Sequence, residues 1–139
     1  LVSYFLNNSI DFFKIQLNER TNKLISSINS PMLKKPLAIT SHKGAFLCVA
    51  NESNNLVSIK IKQNKLHLQN VDIVGGALNA PWGICSKEDK IYVSNLGLRD
   101  SQLPSLLSLS RISTNQYKIE SEWISDGVGL TVLREKDCI

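Results

Sequence analysis

The sequence predicts an all-β chain made of about three successive copies of a four-stranded antiparallel unit. Three observations predict it. Sequence landmarks recur in fixed order every ~42 to 50 residues, short apolar runs are broken by Asn, Ser, Lys and Gly turns, and no segment carries a helical stripe.

The recurrence is the strongest of these. Pro36-Leu37-Ala38-Ile39 returns as Pro81-Trp82-Gly83-Ile84 and again as Gly127-Val128-Gly129-Leu130. Cys48-Val49-Ala50-Asn51 returns as Tyr92-Val93-Ser94-Asn95, and Leu56-Val57-Ser58-Ile59 as Leu106-Leu107-Ser108-Leu109. Asn22-Lys23-Leu24 returns as Asn64-Lys65-Leu66. Four kinds of landmark in one order are hard to obtain by chance, so the unit is treated as a true repeat.

The strands of each unit follow in turn. Compact runs at Leu37–Thr40 and Ile84–Cys85 predict a first strand buried on both faces. Polar turns follow at Ser41-His42-Lys43-Gly44, Ser86-Lys87-Glu88-Asp89 and Arg134-Glu135-Lys136-Asp137. The second strand ends in an apolar-Val-small-Asn pattern. A third, Leu56–Lys62 or Leu106–Ile112, alternates more clearly, and a fourth, Leu66–Val74 or Tyr117–Ile124, is the most amphipathic.

Four antiparallel strands every ~45 residues match the blade of a β-propeller. The fold class predicted is therefore an all-β β-propeller fragment of about three four-stranded antiparallel blades forming an incomplete ring. The partial propeller domain spans 1–139. Residues 1–30 form the end of one blade, 37–74 and 82–124 are full blades, and 129–139 begin the next. A ring closes with roughly four to eight blades, so the remaining blades of the parent chain are an expected partner. A chain beginning at Leu1, with Met32 as its only methionine, predicts a processed or truncated start. Cut sheet faces predict poor solubility or oligomerisation in isolation.

Composition narrows the function classes. The 42% apolar and 20% charged residues are those of an ordinary soluble domain. The net charge of +4 is scattered, with Lys34-Lys35 the only adjacent basic pair, so no stripe exists to neutralise a row of phosphates and no nucleic acid is expected. Apolar runs such as Ala45–Ala50 are strand-sized, and no membrane partner is expected. Cys48, Cys85 and Cys138 lie in apolar runs without metal spacing, which predicts buried thiols rather than zinc ligands or a disulfide framework.

The blade with Pro-x-Gly-Ile, a polar turn and Ile91-Tyr92-Val93-Ser94-Asn95 resembles the propellers built from Tyr-Val-Thr-Asn type repeats, including lactonase-type seven-bladed proteins. It is also similar to NHL-like and gluconolactonase-type repeats. The resemblance rests on structural positions: Gly83 and Gly129 near the axis, Val49 and Val93 in the core, Asn51 and Asn95 at turns. Cys48 stands where the signature has Tyr, Gly127 where it has Pro, and an insertion follows Asn95.

Strand direction places the candidate site. The loop between second and third strands shares a face with the connection from one blade to the next. That face gathers Asn51–Asn55, Asn95–Ser105, Lys34-Lys35-Pro36, Asn79-Ala80-Pro81-Trp82 and Ser125-Asp126-Gly127. Its ligand-binding candidates are Asn51, Trp82, Asn95, Arg99, Asp100 and Asp126. Arg99 suits a carboxylate or phosphate, Asp100 a metal or hydroxyl, and Trp82 an aromatic wall. Surface-loop, turn and inter-blade packing roles are the competing readings of the same residues.

His42 and His67 fall away from that face, and GxSxG, P-loop, HExxH and dinucleotide patterns are missing. Catalytic residues are therefore unassigned and no metal ligand set is named. Asn7-Asn8-Ser9 and Asn51-Glu52-Ser53 match the glycosylation pattern, as a chain rich in Asn and Ser does by coincidence.

Two functions follow. The resemblance implies a loop-lined face that binds a small polar ligand, possible lactonase-type hydrolysis, and a possible divalent cation in the complete propeller. The alternative is a non-catalytic scaffold for protein–protein interaction, with Leu96, Leu98 and Leu103 of the long loop meeting a protein partner.

Overall fold

The computed structural model describes residues 1–4, 6–16, 21–97 and 105–124. They form twelve strands in three successive sheets, with one short 3₁₀ turn at Pro31–Leu33 and no α-helix among the described residues. The first sheet orders β1 (Val2–Tyr4), β2 (Ser9–Gln16) and β3 (Thr21–Asn29). The second orders β4 (Pro36–His42), β5 (Ala45–Ala50), β6 (Asn55–Lys62) and β7 (Lys65–Asn70). In the third, β9 (Pro81–Lys87), β10 (Lys90–Asn95), β11 (Ser105–Ser113) and β12 (Gln116–Ile124) follow the same order, and β8 (Asp72–Val74) adds outside β12. The sheets do not close into a barrel. The chain is all-β, arranged as successive blades of an incomplete propeller would be.

Local chemistry explains the hairpins. Lys43-Gly44 joins β4 to β5 with φ of 49° and 77°, and Gln63-Asn64 joins β6 to β7 with φ of 48° and 61°. Two central residues in the left-handed region are what a type I′ turn requires, and its twist matches that of the flanking strands.

Alternation along each strand then builds two cores. On β5, Leu47 and Val49 point toward the third sheet, where Ile84, Ile91, Val93, Leu107, Leu109 and Tyr117 meet them. Cys48, between them in sequence, points to the other face and joins Val57, Ile59 and Leu66 against Ile10 and Leu33. The second sheet is thus covered on both faces, and apolar residues on both sides of β5 and β6 are what permit it.

Four expectations are corrected. The first strand of each unit is not the most buried: β4 and β9 bury two and three of their seven residues, while β5, β6, β10 and β11 each bury four. The middle strands have a paired neighbour on each edge, which the edge strands β4 and β9 lack. The fourth strand does not run unbroken to Val74. Val71 is buried and its amide donates to Leu56 O at 2.9 Å, ending β7's course beside β6. The chain then crosses to the third sheet, where β8 lies parallel to β12 with Tyr117 opposite Ile73.

His42 is not a turn residue but the last residue of β4, with only 5% of its surface exposed. The three cysteines are not alike either. Cys48 is a free buried thiol, whereas Cys85 is disulfide-bonded, a pairing that apolar flanking sequence could not reveal. Cys138, Gly127, Gly129 and the strands expected over 129–139 lie outside the described residues. No described helix is long and apolar enough to cross a membrane.

Candidate functional site

The loop face begins at two prolines. Pro36 opens β4 and Pro81 opens β9, and the residues before them, Lys35 and Ala80, take positive φ of 52° and 48°. A side chain in that region strains against its own carbonyl by roughly 1 to 2 kcal/mol, so each needs outside support. It comes from the preceding unit: Lys35 N donates to Asn8 Oδ1 at 2.9 Å, and Ala80 N to Asn54 Oδ1 at 2.8 Å. Asn8 and Asn54 are themselves left-handed, at φ of 51° and 54°, a conformation Asn tolerates better than most residues. Each Asn immediately precedes the strand, β2 or β6, that follows its turn. This recurring Asn was legible in the sequence but was not singled out.

Further bonds tie the same loops. Asn51 N donates to Lys35 O at 3.0 Å and Glu52 N to Lys34 O at 3.1 Å. Asn51 Nδ2 reaches the next unit, donating to Pro81 O at 3.1 Å, so the amide nitrogen of the Asn51-Glu52-Ser53 sequon is engaged in holding two sheets together. In the third unit Asn95 Oδ1 accepts from Asn79 N at 3.2 Å, and Leu96 N donates to Ala80 O at 3.1 Å. Gly83, opposite Ser94, receives support of the same kind: its amide donates to Ser94 Oγ at 2.9 Å, and a Cβ there would lie 3.1 Å from that oxygen.

A cavity of about 640 Å³ opens on this face between the second and third sheets. The segment Gly75–Asn79 forms one wall, the loop residues Asn54 and Asn95 a second, and Leu107 of β11 with Ile119, Glu122 and Ile124 of β12 a third. The double glycine has a structural reason. Gly75 sits at φ of 90°, and a Cβ on Gly76 would fall 2.8 Å from Ile119 Cδ1. Glu122 is the one ionisable side chain among the described lining residues. Apolar surface from Leu78, Leu107 and Ile119 therefore lies beside three Asn residues and a carboxylate. That mixture suits an uncharged molecule with both an apolar face and hydroxyl or carbonyl groups.

Of the six sequence-derived candidates, Asn95 lines this cavity. Asn51 lies on the same face but is committed to Pro81 O, and Trp82 is exposed on β9 outside both the cavity lining and the two cores. Arg99, Asp100 and Asp126 lie outside the described residues. Asn54, the Gly75-Gly76 pair and Glu122 were missed, because their convergence depends on where β7 leaves its sheet. Among the described residues no group of three or more His, Cys, Asp or Glu is placed to hold a metal ion. No known family matches the chain, and no curated protein matches it.

Proposed function

We propose that this chain is a segment of a β-propeller whose loop-lined face binds a small polar ligand. The observation that carries the reading is the 640 Å³ cavity on the face where the inter-unit loops meet, with amide and carboxylate groups set against apolar walls. Hydrolysis of a lactone, with or without a divalent cation, is the chemistry that the Tyr-Val-Thr-Asn resemblance suggests for such a face, and it stands on analogy.

Calorimetric titration of the full chain with lactones, open-chain polyols and Ca²⁺ or Mg²⁺ tests it, with Gly76→Leu as the variant that fills the cavity. Saturable heat with one of these compounds, lost in Gly76→Leu while the melting transition persists, supports the reading. No heat and no turnover with any of them overturns it and leaves the protein-binding scaffold as the alternative.

A further inference from the structure

We propose that His42 is an acid-sensitive latch between the second and third sheets. It lies at the end of β4 remote from the cavity, with its side chain across the seam against Tyr117 of β12. The two ring centroids stand 5.7 Å apart at an interplanar angle of 55°, and Tyr117 is itself only 2% exposed. His42 Nε2 is buried and has no hydrogen-bond partner among the described residues.

The seam at this end is otherwise made of polar ties. Thr40 Oγ1 donates to Ser86 Oγ at 3.3 Å, Ser86 Oγ donates to Ser41 O at 2.6 Å, and Lys43 pairs with Asp89. Among the described residues, three charged groups act on His42. Lys43 follows it in the β4–β5 turn, Arg111 faces it from β11, and Asp89 faces it from the β9–β10 turn. The two cations disfavour an imidazolium. The single carboxylate that would welcome it is exposed and already engaged by Lys43.

A proton on His42 would thus be buried without an acceptor beside like charge. Burial first, then Lys43 and Arg111, hold its pKa below the ordinary 6.5. Below pH 6.5 an opened seam binds a proton that the closed seam refuses, so the closed form loses ground as pH falls, by up to about tenfold per pH unit until the closed-state pKa is reached.

Amide hydrogen exchange of the full chain between pH 7 and 5, corrected for intrinsic rates, tests the latch. Opening at Ser41, His42, Tyr117 and Lys118 is expected to rise by up to tenfold per pH unit in the wild type and to stay level in His42→Phe. An equal rise in His42→Phe, or a rise spread evenly over all three sheets, overturns the proposal. Should His42→Phe fail to fold, the imidazole resonances of the wild type decide. A His42 midpoint below the ordinary 6.5 supports the latch, and one at or above it overturns it.

Discussion

Asn54 Oδ1 accepts the Ala80 amide at 2.8 Å, joining the loop of the second sheet to the residue that leads into the third. Asn8 does the same for Lys35 one unit earlier. The bond serves two purposes at once, holding a strained backbone residue and orienting the proline that opens the next sheet. Asn54→Ala is expected to cost about 1 to 3 kcal/mol in urea unfolding, since it leaves a largely buried amide without an acceptor. Asn54→Asp, which keeps an acceptor oxygen, is expected to lose less. Equal losses would show that the bond itself contributes little.

Ser58 and Ser108 occupy equivalent places in the third strands of their units, 1% and 2% exposed, each with an Oγ that has no partner among the described residues. Their value is their size, because with so little exposed surface neither place has room for a larger side chain. Replacing either by Ala removes no hydrogen bond and is expected to change stability by less than about 1 kcal/mol, whereas Leu is expected to cost about 1 to 3 kcal/mol through overpacking. Thermal melts of the four variants check this.

The two described cysteines are expected to react differently. Burial pushes the Cys48 thiol up to about 12, so almost no thiolate exists near pH 8 and alkylation must wait for local opening. In denaturant without reductant, mass spectrometry should find Cys48 labelled and Cys85 protected. Cys85 should label only after reduction.

A separate acid phase is expected below that of His42. Ser110 and Lys118 around Glu120, and Lys43 beside Asp89, hold those carboxyls below their ordinary values. Groups shifted downward stabilise the fold above their unfolded pKa, and that contribution is lost as pH falls through the folded value. Stability measured from pH 5 to 2 should therefore fall again. Because both carboxyls lie at the surface, 1 M salt should flatten this second phase while leaving the buried His42 phase largely intact.

How much was legible follows from what kind of interaction each feature depends on. The short apolar runs around Cys48-Val49 and Tyr92-Val93 marked β5 and β10, and the Lys43-Gly44 pair marked a turn, because strand alternation and turn chemistry are local. The crossing of β8 and the burial of His42 were not legible, since each depends on a partner far along the chain, and the disulfide at Cys85 was not legible because apolar flanking residues carry no pairing signal.

By itself the sequence determined the all-β class, the succession of short antiparallel strands and the order in which they pair within the second and third sheets. Those are consequences of side-chain periodicity and backbone preference, which act over a few residues. Only the tertiary structure decided that Val71 would anchor under Leu56 and release Asp72–Val74 to the neighbouring sheet, that Asn54 would meet Ala80, and that Gly75–Asn79 would wall a cavity with Glu122. Long-range hydrogen bonds and packing choose among many chain paths that share the same local pattern, and that choice is made only when the sheets meet.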